Sequence, residues 1–436
     1  MSRYAVVGTG ARAEMYVDAL VGPYAGTTAL VAWVEPNPAR VRFYDEKISG
    51  VPNYSPDELE HAIKDCSVDT VIVTTPDQTH ADIVQRALRA GADVIVEKPL
   101  TTSVDGARAI VDAIEETGRS LVLTFNYRYS QRNSALKEVL RSGRIGAVTS
   151  VHFEWALDTM HGADYFRRWH RVKTNSGGLL VHKSSHHFDL VNWWLEDSPA
   201  WVSARGRLAF YGERNAAGRG RPQRPPRGTV DPASDDPFAL DLRGDDRLRR
   251  LYLEAEQYDG YQRDRDPFGP GITIEDNLAV LVEYDGGAML TYSLNAHSPW
   301  EGYRVTINAT EGRAELEVVE RSAVLRDGEG RLILDASSVA DDTADHDLRP
   351  RGQRLLVQPH WEAAELVELP EDTGGHGGGD ELLLHDVFAT PADDPLRRRA
   401  DYRDGLRSIA VGLAANESIT SGRSVRVDEL GLPGWS

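Results

Sequence analysis

Through the first 125 residues, short apolar runs alternate with segments whose apolar residues recur at helical spacing. "YAVV" (Tyr4 to Val7), "ALVAWVE" closing at Glu35, "SVDTVIVTTP", "ADVIVEKPL" and "SLVLTFNYRY" read as strands buried on both faces of a parallel sheet. Between them, "THADIVQRALRAG" and "SVDGARAIVDAIEETG" carry an apolar stripe at helical period and end on Gly. Alternation of this kind predicts right-handed crossovers and a doubly wound α/β sheet, with ligands at the carboxyl ends of its strands. From Val148 onward the pattern changes to strands: "AVTSVHFEWAL", "WVSARGRLAFYG", "NLAVLVEYDGGAMLTYSLNA" and "YRVTINATEGRAELEV". The "DGG" inside the third predicts a hairpin. A last amphipathic segment, residues 400–422, predicts a helix that returns to pack on the body. The chain thus divides into an alternating strand–helix part, 1–125, and a second part, 126–436, in which strands dominate.

The turn after the first strand supports the dinucleotide reading. Gly8, Gly10 and Ala13 stand in G-x-G-x-x-A spacing. Gly8 permits a tight turn, Gly10 lets the backbone approach a pyrophosphate, and Ala13 lets the helix pack close to the strand, its N-terminus facing the anion. Glu35 follows the second strand, where a carboxylate accepts from the ribose hydroxyls and repels a 2′-phosphate, so NAD is expected in preference to NADP. A Gly-rich turn with no ligand is the plain alternative.

Composition narrows the class. At 436 residues the chain exceeds one small core, and its net charge of −19 argues against nucleic acid. One cysteine, Cys66, excludes an internal disulfide and a multi-cysteine zinc site. With no secretory leader or apolar stretch of membrane-spanning length in sight, a cytoplasmic location is expected.

Five segments in order, "GTGARA", "TTPDQTH", "VEKPL", "FNYRYSQRNSALKEVLRSGRIGAV" and "SGGLLVHKSSHHFDLVNWWL", resemble the Gfo/Idh/MocA family, the glucose–fructose oxidoreductase and inositol dehydrogenase group. The resemblance spans nearly the whole chain. It implies a Rossmann domain followed by an α+β domain with a large, mostly antiparallel open sheet, and a homo-oligomer, dimer or tetramer. It implies NAD or NADP chemistry on a small carbohydrate or polyol, with no nucleic-acid or membrane partner. Cofactor contacts are expected from Gly8, Gly10, Ala11, Arg12, Ala13, Glu35, Thr75, Pro76, His80, Glu97, Lys98 and Asn126. Lys98 ends a strand beside Pro99, where its ammonium could also bond a substrate hydroxyl and steady alkoxide charge; simple pairing with a carboxylate is the alternative.

Within "GGLLVHKSSHHFDLVNWW", His186 falls on the family's catalytic histidine, which exchanges the proton of the reacting hydroxyl, a task suited to imidazole. The family usually places an acidic residue four positions earlier; here it is His182. At that spacing His182 and His186 are expected to share one helix face, and His182 could be a second acid/base or a substrate hydrogen-bonding group. A metal bound by these two, with His187 or His152 added, is the competing reading, and buried structural histidines another; no metal ligand is assigned.

Substrate contacts are expected from Trp169 and His170, an aromatic beside hydrogen-bonding cations, and from Tyr127, Arg128 and Lys183. Between Gly212 and Ile272 lies an insertion. Its first part, rich in Gly, Pro and Arg, predicts no regular structure; its second carries a short helical pattern. It is either a solvated excursion or a lid bringing Tyr258, Tyr261 and Arg263 to the pocket. The glycine run around His376 allows close approach to a ligand. The whole reads as an NAD-dependent dehydrogenase of a ring carbinol. One rival is a redox-neutral glycosidase or lyase working through a transient 3-keto sugar; another is cofactor binding without catalysis.

Overall fold

The computed structural model describes residues 1–220, 224–230, 236–324, 348–370, 378–389 and 393–435. Six strands form the first sheet: β1 (Ser2–Val7), β2 (Thr28–Val34), β3 (Asn53–Tyr54), β4 (Thr70–Val73), β5 (Asp93–Val96) and β6 (Leu121–Leu123). Their spatial order is β3-β2-β1-β4-β5-β6 and every pair is parallel. The order reverses between β1 and β4, which opens the crevice in which such sheets bind ligands. Burial on both faces explains the unbroken apolar runs: Ala5, Val6, Val71, Ile72 and Val73 are fully enclosed. The predicted helices appear at His80–Arg89 and Val104–Thr117; the second is capped by Ser103 and stopped by Gly118 in the left-handed conformation.

The second sheet contains β7 (Val148–Asp158), β8 (Pro199–Arg207), β9 (Asn277–Tyr284), β10 (Met289–Ser298), β11 (Glu301–Ala309), β12 (Gly312–Arg321), β13 (Gly352–Pro359), β14 (Glu365–Val367) and β15 (Val425–Arg426). Their order is β14-β13-β12-β11-β7-β10-β9-β8-β15. All neighbours are antiparallel except β7 and β10. The predicted "DGG" hairpin joins β9 to β10. Burial alternates strictly along β9, so one face carries the core and the other meets solvent. The helices Ser185–Leu195 and Tyr402–Ser421 pack against each other, and the second lies along β8. Gly412 lets the Tyr402–Ser421 helix also approach the short Leu179–His182 helix, because a Cβ there would stand 2.6 Å from the Leu180 carbonyl oxygen.

Two expectations change. The segment 179–195 is not one helix: Leu179–His182 ends, and Ser185–Leu195 begins anew after Lys183 and Ser184. His182 and His186 therefore belong to different helices. In the insertion, Glu213–Gly218 forms a short helix where none was predicted, since Gly212 at φ +87° turns the chain and leaves six residues free of Pro. No helix among the described residues is long and apolar enough to cross a membrane.

Candidate functional site

A cavity of about 510 Å³ runs from the turn after β1 to the start of the Ser185–Leu195 helix. Gly8, Gly10, Ala11, Arg12, Glu35, Thr75, Pro76, Glu97, Lys98 and Asn126 line it, as do Trp169, His170, His182, Lys183, His186 and Tyr261. The loops that converge there are the carboxyl-end loops of adjacent parallel strands.

The first end fits a dinucleotide. Gly8 has φ +85°, and a Cβ on it would meet the Thr75 side chain at 2.6 Å. Gly10 leaves its approach open, the nearest atom to a Cβ being the Tyr252 hydroxyl at 4.0 Å. Ala13 is wholly buried and opens the Ala13–Val21 helix, so it packs the helix and does not line the cavity. Glu35 is pre-set: Thr9 N–H donates to Oε2 at 2.8 Å and Asn37 N–H to Oε1 at 2.9 Å. At the next strand, Arg12 and Tyr16 both donate to Glu97 Oε1, at 2.6 and 2.7 Å. Asn126 Nδ2 donates to Asp380, while its buried Oδ1 has no partner among the described residues. That orphaned acceptor suits an amide donor of the cofactor.

At the other end three basic groups meet. Lys98 Nζ donates to the His182 carbonyl oxygen at 3.0 Å and lies 3.4 Å from His182 Nε2. His182 Nδ1 lies 2.6 Å from Asp77 Oδ2. An ammonium on one side and a carboxylate on the other select the neutral tautomer with the proton on Nδ1. Burial and the charge of Lys98 hold His182 well below the usual imidazole range. Burial also lowers Lys98, to about 8, against the pull of Asp77 and Glu97. The His182 ring meets the His170 imidazole, at 4.2 Å between centroids. His170 stacks on Trp169 at 3.7 Å, and its buried Nδ1 has no partner among the described residues. His186 lines the cavity with its ring stacked on Tyr127 at 4.5 Å.

Several expected residues are placed elsewhere. Arg128 is buried away from the cavity, bonded through Nε and Nη2 to Asp189 at 2.8 and 2.6 Å and through Nη2 to Asp404 at 3.2 Å. Tyr127 is sandwiched between His186 and Trp155, a support behind the lining. His80 spans the carbonyls of Pro99 and Thr75 at 2.8 and 3.0 Å, stapling two strand-end loops beneath the surface. His187 stacks on Trp155 at 4.1 Å, and His152 is exposed on β7, so neither stands beside His182 and His186. His376 lies outside the described residues.

The insertion forms a wall, with Tyr252, Asp259 and Tyr261 lining the cavity. The Tyr252 hydroxyl accepts from Ala11 N–H at 3.1 Å, and Asn37 Nδ2 donates to the Ala255 carbonyl at 3.0 Å. Arg40 pairs with Asp259 at 2.6 Å. The buried Tyr261 hydroxyl has no partner among the described residues. Tyr258 instead points outward beside Arg42, and Arg263 is buried against Asp164.

Sequence reasoning missed Asp77, Arg168, Tyr165 and His161, which also line the cavity. Asp77 stood in plain view in "TTPDQTH", but nothing local tells that its partner is a histidine 105 positions away. His161 is held by the carboxylate of Glu301 at 2.8 Å, again across distant strands.

Comparison with known proteins agrees with this geometry. The model "Oxidoreductase family, NAD-binding Rossmann fold" of the GFO_IDH_MocA family matches residues 2–125. Its companion, "Oxidoreductase family, C-terminal alpha/beta domain", matches residues 137–427. The chain is 33% identical over 459 residues to the putative oxidoreductase YteT of Bacillus subtilis (strain 168), covering 99% of each. It is 27% identical over 202 residues to an inositol 2-dehydrogenase of Rhizobium meliloti (strain 1021), 46% of this chain and 57% of that enzyme. The WlbA dehydrogenase of Bordetella pertussis, solved with NADH and UDP-GlcNAcA, superposes with TM-score 0.62 at 16% identity over 98% of both chains.

Proposed function

The chain belongs to the Gfo/Idh/MocA oxidoreductase family, and from that premise we propose that it is an NAD-dependent dehydrogenase oxidising one ring hydroxyl of a sugar, glycoside or polyol. The observation that carries the reading is one cavity that joins the Gly8–Ala13 turn and Glu35 to Lys98 and His186. Bound NAD supplies the hydride acceptor. Residues 1–125 and Asn126 would hold it: the N-terminus of the Ala13–Val21 helix would face the pyrophosphate, Glu35 would accept from the ribose hydroxyls, and Asn126 Oδ1 would receive an amide N–H. Residues 126–436 supply the substrate wall.

Lys98 donates from its ammonium to the reacting oxygen and steadies the charge that grows there. His186 takes the hydroxyl proton as the carbinol becomes a ketone. His182 acts as a positioning residue: with Asp77 holding the proton on Nδ1, its Nε2 and carbonyl oxygen fix the Lys98 ammonium. Trp169 offers a face to a sugar ring, while His170 Nδ1 and the Tyr261 hydroxyl offer polar atoms that no described residue satisfies. The same reading carries a cytoplasmic homo-oligomer, dimer or tetramer, checked by light scattering.

The test is purified protein with NAD and a panel of free sugars, polyols and aryl glycosides. Reduced nicotinamide is followed by absorbance and products by mass spectrometry. Reduced cofactor rising in step with a ketone is expected. Aglycone release without net cofactor reduction overturns net dehydrogenation in favour of a recycled hydride.

A further inference from the structure

Lys183 is a buried lysine with no counterion among the described residues. It lines the cavity and is 5% exposed. Its ammonium lies 4.7 Å from the Trp155 ring centre and 5.6 Å from that of Tyr127, and donates to the Tyr127 hydroxyl at 3.3 Å. It makes no ion pair among the described residues. Two other buried cations here have a carboxylate partner, Arg128 in Asp189 and Lys137 in Glu196 at 2.7 Å. The carboxylate whose field reaches Lys183 most strongly, Glu301, is bonded to His161 and Arg321. Two aromatic faces and one phenol offset only part of the cost of burying an ammonium.

A cation kept in that position needs an anion that arrives with the ligand. Of the other cations at this end of the cavity, Lys98 serves the reacting oxygen and Arg168 is paired with Asp164 at 3.1 Å. One compact ammonium between aromatic walls matches a single carboxylate, whereas a phosphate dianion calls for several charged donors. We propose that the substrate is an acidic sugar whose carboxylate is received by Lys183. This rests on the dehydrogenase reading above and adds the charge of the molecule that is oxidised.

The test takes the full chain with NAD and compares a hexuronate, its neutral parent hexose and the hexose 6-phosphate, in the wild type, Lys183→Met and Lys183→Arg. In the wild type, kcat/KM is expected to favour the hexuronate over the hexose by on the order of 30-fold or more. Lys183→Met should collapse that ratio toward one, and Lys183→Arg should keep part of it. Lys183→Met removes an unpaired buried charge with little change of volume, so its thermal midpoint should be no lower than wild type. Equal rates on acid and neutral sugar, a preference that survives Lys183→Met, or a preference for the phosphate each overturn the proposal. Calorimetric binding of the hexuronate separates this from the dehydrogenase reading. If no sugar is oxidised but the acid binds only when Lys183 is present, the dehydrogenase reading fails and the anion site stands. If the acid does not bind, the anion site falls.

Discussion

Asp77 Oδ2 reaches His182 Nδ1 at 2.6 Å across 105 positions of the chain. The family pattern puts an acidic residue where this chain has His182. Here Asp77, His182 and Lys98 follow one another in a bonded row at the cavity.

His186→Ala should lower turnover by roughly a hundredfold to ten-thousandfold, the usual worth of a positioned general base. Affinity for NAD, read by fluorescence titration, should stay within a few-fold of wild type. Unchanged turnover would remove His186 from the chemistry.

The pH profile should report Lys98. Its pKa is depressed to about 8, so the ammonium is present below that pH and absent above it. The kcat/KM for oxidation should therefore fall as pH rises through about 8. Lys98→Arg keeps its charge and should lack this limb. Asp77 favours the charged lysine, so Asp77→Asn should move the limb to lower pH. A limb that stays in place in both variants would mean another group titrates there.

Cofactor choice should turn on Glu35. Glu35→Ser removes the carboxylate that repels a 2′-phosphate and leaves Arg40, still paired with Asp259 at 2.6 Å, beside the vacated position. The ratio of kcat/KM for NAD over NADP should drop by at least about tenfold, the size of one lost charge-assisted contact. An unaltered ratio would mean that the discrimination lies elsewhere.

Tyr252→Ala should speed cofactor release by about tenfold, since the side chain caps the Gly-rich turn at Ala11 N–H. Stopped-flow displacement of bound NADH measures this directly. Release no faster than wild type would mean that the insertion merely rests on the groove.

Arg128→Ala should cost about 3–5 kcal/mol of stability, because it leaves Asp189 buried and uncompensated. Asp189, already raised to about 7 by burial, should then take up a proton on folding. Urea denaturation checks the loss. Wild-type stability with a raised substrate KM would return Arg128 to the binding surface.

What could be read along the chain was what local pattern determines. Apolar runs marked β1, β2, β4, β5 and β6, and Gly8, Gly10 and Glu35 marked the cofactor end, because strand period and turn chemistry act over a few residues. The cofactor and substrate residues that line the cavity came from the same motifs. Three expected ligand contacts are engaged elsewhere in the structure. Arg128, Tyr127 and His80 have the right chemistry for a ligand, but Asp189, Trp155 and the Pro99 carbonyl claim them from afar. Asp77 was overlooked for the converse reason, since its role is written in His182. The break between His182 and Ser185 also defeats a helical-spacing argument that needs a continuous helix.

The wall built from Tyr252, Ala255 and Asp259 has a consequence for the order in which the protein is made. The dinucleotide groove belongs to the first 125 residues, yet the side chains that seal it are translated more than a hundred residues later. While the chain is still emerging from the ribosome, the groove is an open half-mould, and nucleotide can come and go. Synthesis of the insertion then adds the wall that narrows the groove. Loading during translation and loading of the finished protein should therefore differ in rate, the first being the faster.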